Sequence, residues 1–286
     1  MNKLKHLLPT VISMVCFFSC LDGGDLGYIK YEPFVVVEGK IEAGRYSSVL
    51  LTLSSSFNQD VDTAYILNHV INTAIITVSD GTEIDTLSFG RKPGLIPPYE
   101  YYGSRIRGMP GKTYTLTIKL QEDIITAETY IPEPVSLDEI SFVKSSPNDT
   151  IGHFHLRFKD NPQKQQYYQI ATRVTGESEA FTPCLFGTMN NTLFNGAEEV
   201  TMQINKGPVI FPKLSFDTFF ITGKEVEIRF STLPEEGYLF WNSWQEDVLN
   251  AQNPIFPADA SLKSNIKGGI GIWCGYGSYY YRITPE

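Results

Sequence analysis

From residue 33 onward, apolar and polar residues alternate with a period of two. The clearest run is Thr113-Tyr114-Thr115-Leu116-Thr117-Ile118-Lys119-Leu120, with Tyr114, Leu116, Ile118 and Leu120 on one side and Thr and Lys on the other. Such alternation marks an antiparallel sheet solvated on one face. Comparable runs occupy 34–41, 48–53, 74–78, 83–89 and 124–131, and Asp80-Gly81 between two of them is a hairpin turn signal. This density of short strands predicts a β-sandwich over 33–132.

Ile131-Pro132-Glu133-Pro134-Val135 reads as a boundary, because two prolines stiffen the chain and interrupt a ladder. A second β-rich domain over 135–286 follows. Its strand 151–158 points Phe154, Leu156 and Phe158 inward and His153, His155 and Arg157 outward, and 167–174, 226–230 and 269–274 also read as strands. One helix is predicted near 234–249, opened by Pro234, Glu235 and Glu236. Its stripe of Tyr238, Trp241, Trp244, Gln245 and Val248 is expected to pack on the sheet. The fold class is therefore mainly β: an N-terminal Ig-like or transthyretin-like sandwich, to which the first strands bear a resemblance, then a second β-rich domain carrying one helix.

The first 19 residues read as an export signal. Lys3 and Lys5 precede an apolar run from Leu7 to Ser19 that is too short to span a bilayer. Phe17-Phe18-Ser19-Cys20 resembles a lipobox, which makes Cys20 the lipidation site, and 20–32 a Gly-rich, acidic tether. Processing would move the formal charge from −9 to −11. With no basic block, nucleic acid is an unexpected partner.

The catalytic screen finds no marked site. Gly108-Met109-Pro110-Gly111-Lys112-Thr113 ends like a phosphate loop, but Ile106 stands where its first glycine belongs, and a strand follows instead of a helix. His153 and His155 share one side of a strand, yet Arg157 on that side would repel a cation, so neither metal nor cofactor is expected. Residues 90–110 read as a long loop between strands. Loops of that length are usually functional or disordered, and this one carries Tyr99, Tyr101, Tyr102, Arg105 and Arg107, residue types favoured at contact surfaces. Packing of those tyrosines onto their own domain is the alternative, and Tyr279-Tyr280-Tyr281 has the same ambiguity. Cys184 and Cys274 are free to form a disulfide in an oxidising compartment, or to stay as buried thiols.

An ordered set of stretches resembles a known family. They are 34–41 (FVVVEGKI), 110–116 (PGKTYTL), 127–132 (AETYIP), Phe216-Asp217 with Gly223-Lys224, 238–241 (YLFW) and 264–272 (SNIKGGIGI). Together they resemble the Bacteroidota outer-membrane lipoproteins called domain of unknown function 4249. The resemblance implies an outer-membrane, lipid-anchored protein with a TonB-dependent receptor as partner, and the acidic residues after Cys20 resemble a surface-export signal, which favours the cell surface over the periplasmic leaflet. It implies no catalytic residues. Asp62-Thr63-Ala64 and Asp149-Thr150-Ile151 resemble Bacteroidota O-glycan acceptors, which makes Thr63 and Thr150 candidate sites. The function expected is a non-catalytic accessory or binding module. A surface adhesion or structural module, or a hydrolase with an unmarked carboxylate site, is the alternative.

Overall fold

A computed structural model describes residues 32–55, 62–177, 179–194, 196–209, 214–250 and 262–286. The signal segment, Cys20 and the tether up to residue 31 lie outside the described residues. The predicted alternation becomes strands β1 (Val35–Glu42), β2 (Tyr46–Leu53), β3 (Ile75–Ser79), β4 (Ile84–Thr86), β5 (Ser88–Arg91), β6 (Tyr99–Arg107), β7 (Thr113–Leu120) and β8 (Asp123–Tyr130). They are followed by β9 (Leu137–Lys144), β10 (Ile151–Lys159), β11 (Tyr167–Val174), β12 (Thr182–Asn190), β13 (Glu199–Ile204), β14 (Phe220–Ile221), β15 (Val226–Leu233) and β16 (Ile270–Ile283). Helix α1 (Thr63–Asn68) follows β2, and α2 (Glu235–Asn250) follows β15.

The protein is mainly β, with sandwich packing, as the alternation predicts. One eight-stranded sheet runs β12-β11-β15-β16-β1-β2-β6-β5. Two smaller sheets pack against one of its faces. The β4-β3-β7-β8 sheet meets β1, β2 and β6 over a core of Val37, Ile41, Leu51, Leu116, Ile118 and Trp273. The sheet built on β10, with β9, β13 and β14, meets β11, β15 and β12 over Phe154, Phe158, Tyr168, Ile228 and Phe230. The described chain from Pro33 to Glu286 is one compact unit. The expected boundary at Pro132 and Pro134 marks the change from one small sheet to the next, but the long sheet continues across it.

β16 carries that continuity. Its first half pairs in parallel with β1, from Val36↔Ile270 to Glu42↔Tyr276, and its second half pairs antiparallel with β15, from Thr232↔Gly277 to Val226↔Ile283. The connection at 130–134 crosses its inner side so closely that a Cβ on Gly275 would stand 2.3 Å from the Tyr130 carbonyl oxygen, and one on Gly277 2.3 Å from that of Pro132. Only glycine admits the backbone there.

Where β16 lacks a strand neighbour, side chains replace one. Asn265 Oδ1 accepts from the Trp273 N–H at 2.9 Å, and Asn265 Nδ2 donates to the Trp273 carbonyl at 2.8 Å. Thr129 Oγ1 accepts from Gly275 N–H at 2.8 Å, and Ser264 Oγ from Gly271 N–H at 3.1 Å. An unpaired backbone group buried here would be costly. The stretch 264–272 is thus accounted for as the closure of an exposed ladder.

Helix α2 lies on the opposite face of the long sheet. Gly237, Phe240 and Ser243 are its buried side, so the contact face is rotated from the expected aromatic stripe. Gly237 sits where a Cβ would come within 2.5 Å of Cys274 Sγ. Tyr238 and Trp241 flank that contact. Asn190 Nδ2 donates to the Tyr238 hydroxyl at 2.9 Å, and Trp241 Nε1 donates to that of Tyr276 at 2.7 Å. Among the described residues, no helix is long and apolar enough to cross a membrane.

Asn265→Ala should strip two partners from Trp273 and cost about 2–3 kcal/mol. Because β16 belongs to both halves of the sheet, calorimetry should show one transition moving as a whole to lower temperature. A variant in which only one of two separated transitions moves would show that the halves unfold independently.

Candidate functional site

Strand alternation decides what the face beside α2 carries. Val37 and Ile41 of β1 point into the first core, so Glu38, Lys40 and Glu42 point to the other face. Ile228 and Phe230 of β15 fill the second core, so Glu227, Arg229 and Ser231 join them. β16 adds Tyr276, Ser278 and Tyr280, β11 adds Gln169 and Arg173, and β6 adds Glu100 and Tyr102. Charged and aromatic side chains from both halves of the chain therefore meet on one surface.

Arg229 is at its centre and only 5% exposed. Its Nη1 lies 3.7 Å from Glu42 Oε1, and its Nη2 donates to Gln169 Oε1 at 3.0 Å. Its guanidinium carbon stands 4.9 Å from the Tyr276 ring centre and 5.5 Å from that of Phe181. The Tyr280 hydroxyl donates to Glu42, and Arg45 stacks on the Tyr280 ring at 4.2 Å. Burial alone raises the Glu42 carboxyl, but Arg229, Lys40 and the Tyr280 hydroxyl outweigh it and hold the group below its ordinary value. Burial likewise works against the Arg229 charge, and Glu42 together with Tyr276, Tyr280 and Cys274 more than compensates. This pair joins β1 to β15 across β16. Among the described residues, Arg229 Nε, Gln169 Nε2 and Thr188 Oγ1 are buried with no hydrogen-bond partner. Gln169 stands opposite Thr188 on one side and Ser231 on the other, so these polar atoms favour an acceptor group in this region.

Around this rigid centre the surface opens. Glu38 and Lys40 reach solvent, yet protein crowds both. Burial raises the Glu38 carboxyl, with Lys40 opposing and Glu100 adding to the shift. Burial and Arg229 lower Lys40, against the pull of Glu42 and Glu38. Glu100 is held by Lys92 at 2.6 Å. Tyr102 is 46% exposed and lies across β5, where a Cβ on Gly90 would touch its ring at 2.7 Å. On the other flank, Glu227 takes Arg173 at 2.8 Å and Arg282 at 2.6 Å, and Arg173 stacks 4.8 Å from Phe181.

The structure redistributes the residues expected to form a contact loop. Residues 90–110 are not a loop: β5 and β6 occupy most of them, pairing Phe89 with Tyr101 and Arg91 with Tyr99. Pro and Gly around 93–98 and the aromatic run hid the alternation of Tyr99 and Tyr101 against Glu100 and Tyr102. Tyr101 is a core residue, 2% exposed, whose hydroxyl accepts from Ala74 N–H. Tyr99 is half-buried and stacks on Phe89 at 5.5 Å. Tyr102 alone of the three stands out on the polar face. Arg105 is exposed, but it sits past a bend in β6 beside Glu83 and Ile84. Asp85 makes that bend, its Oδ2 accepting from the N–H groups of Ser104, Arg105 and Ile106 at 2.8–3.1 Å. Tyr281 packs inward, with its hydroxyl accepting from Leu137 N–H, and Tyr279 is exposed.

The cysteines do not bridge. Cys184 and Cys274 are free and buried, one in the second core and the other under α2 on the opposite face. Three strand spacings separate β12 from β16, roughly 14 Å, against a Cα limit of about 7 Å for a disulfide. Burial pushes both thiols up to about 12, which keeps them unreactive. Thr63 opens α1 and Thr150 precedes β10, and both are exposed. Arg229, Glu42 and Glu38 were missed as site residues, because the alternation placed them on a polar face that read as plain solvent-facing sheet.

The family profile described as Domain of unknown function (DUF4249) matches residues 25–282, and the chain belongs to that family. No curated protein matches it.

Glu42 held below its ordinary carboxylate value contributes stability above about pH 4.3, and that contribution is lost as pH falls through and below this value. Glu42→Gln should therefore cost about 3 kcal/mol at pH 7. It should also flatten the loss of stability between pH 5 and pH 3, read by denaturant unfolding. An acid limb identical to that of the parent would show that Glu42 is not the group responsible.

Proposed function

We propose, from membership of this family and from the geometry of its polar face, that the protein is a non-catalytic binding module. It is anchored at Cys20 in the outer membrane, at the cell surface, beside a TonB-dependent receptor. The observation that carries this reading is the exposed Tyr102 and Lys40 standing on a surface held rigid by the buried Arg229–Glu42–Tyr280 network. A large aromatic side chain and charged neighbours on a fixed frame suit recognition of a polar partner. The placement of other carboxylates supports a role without chemistry. Asp160 is engaged by Tyr168 at 2.6 Å and by Asn191 at 3.1 Å, Asp85 by three backbone amides, and Glu139 and Glu199 by Arg157.

A hydrolase remains the second reading because of one pair. Glu38 and Glu100 lie on the same face, with the Glu38 carboxyl raised by burial and Glu100 ion-paired to Lys92 at 2.6 Å. Inverting glycosidases combine such an acid with a base across the substrate.

Tyr102→Ala with Lys40→Ala should reduce receptor co-purification from detergent-solubilised membranes at least tenfold, at about 1–2 kcal/mol per anchor, with melting nearly unchanged. Tyr101→Ala, a core change, should instead lower the melting temperature. Unchanged co-purification by the well-folded double variant would move the contact elsewhere, and recovery without any receptor would favour the adhesion alternative. Polysaccharide hydrolysis abolished by Glu38→Gln would replace the binding reading with the enzymatic one.

Intact mass of the native protein should correspond to a chain beginning at lipidated Cys20, with added glycan at Thr63 or Thr150. A mass equal to the lipidated polypeptide alone would remove the glycan expectation, and an uncleaved chain would remove the anchor.

A further inference from the structure

The outward face of the β9-β10-β13-β14 sheet, separate from the polar face of the long sheet, holds a pair of imidazoles. His153 and His155 are half-buried neighbours on β10, with ring centres 5.1 Å apart and planes tilted by 30°. Two imidazoles on one Zn²⁺-like ion, bound at about 2.0–2.1 Å, put each ring centre about 3.2 Å from the metal and the two centres roughly 5 Å apart at a tetrahedral angle. The observed spacing meets that requirement.

The objection from the sequence was Arg157 on the same side. Its charge is taken up on both flanks, by Glu139 at 2.9 Å and Glu199 at 3.1 Å. Each anchor lies on a neighbouring strand, with Glu139 paired to Arg157 on β9 and Glu199 to Lys159 on β13. Arg157 is held between two carboxylates and presents no net positive charge to the imidazoles. Ser141 and Gln203 stand opposite His155, and Val143 opposite His153, so no cation borders the pair on those strands.

We propose that His153 and His155 form a two-imidazole site for a divalent cation of the Zn²⁺, Ni²⁺ or Cu²⁺ class, on the outward face of β10. Imidazole prefers these ions over Mg²⁺ and Ca²⁺. Among the described residues, no three His, Cys, Asp or Glu side chains gather around a common point. The site therefore supplies two protein ligands and leaves the remaining positions to water or to a donor on another molecule.

The test is calorimetric titration of the untagged chain with Ni²⁺ at pH 7.5. Paramagnetic broadening of the imidazole proton resonances gives the site-specific readout. One saturable equivalent is expected, weakened at least tenfold by His153→Gln or His155→Gln and abolished by both, with Mg²⁺ giving no heat. His6→Gln and His69→Gln should leave binding unchanged. The substitutions lie on an outward face, and an unchanged melting curve verifies the fold. Absence of saturable binding below about 1 mM Ni²⁺, or binding that survives in the folded double variant, overturns the proposal.

Discussion

β16 has to serve two sheet halves with opposite strand directions, and most of the architecture follows from how it does so. Its first seven residues run parallel to β1 and its last seven antiparallel to β15. Parallel pairing needs a long crossover, and here nearly the whole chain forms it, since β1 opens the described fold and β16 closes it. Two consequences are built into the strand itself. Its inner side gives up side chains at Gly275 and Gly277 so that the 130–134 connection can pass. Along the edge turned away from β1, its first half takes Asn265, Thr129 and Ser264 as substitutes for a neighbouring strand. Prolines 132 and 134 thus stiffen a segment pressed against the common sheet rather than a free hinge.

The polar face follows from the same constraint. With two small sheets covering one side of the long sheet, the other side is covered in the described residues by α2 over Ile272, Cys274 and Tyr276. The remainder must be satisfied by polar groups, and it lies where β1, β15 and β16 meet. A buried guanidinium there costs several kcal/mol unless paired. Glu42, Gln169 and Tyr276 supply that pairing from three strands, and the Phe181 ring adds to it from just before β12. The arrangement fixes the register of the strands around Arg229, because a one-residue slip of β15 would turn Arg229 into the core.

Much of this fold was legible in the sequence. The alternation at 113–120 and 151–158 placed Tyr114, Leu116, Phe154 and Phe158 inside correctly, and Pro234 with its two glutamates marked the start of α2. What failed had physical reasons. A strand such as β6, whose alternation runs Tyr-Glu-Tyr-Tyr, offers aromatic residues to both faces, so period alone does not separate the buried Tyr101 from the exposed Tyr102. Nor can pattern show that Cys184 and Cys274 lie on opposite faces of one sheet, since that depends on strand order. The Arg229–Glu42 contact spans 187 positions in the chain and exists only through the β1–β16–β15 adjacency.

The site therefore depends on the whole chain rather than on either half. Lys40 and Tyr102 belong to the first half, and Arg229 and Arg173 to the second, with β16 setting the distance between them. A loop-borne contact surface could be altered locally without affecting the frame. Here Tyr102 is part of β6, packed over Gly90 and backed by Tyr101 in the core, and Lys40 sits between Glu38 and Glu42 on a central strand. For the proposed binding role, holding contact groups on strands would remove most of the ordering cost that a flexible loop incurs on binding. It also limits how the surface can adapt: the fold tolerates change at exposed positions such as Tyr102 and Lys40, while neither Glu42 nor Arg229 can be exchanged singly without stranding a buried charge.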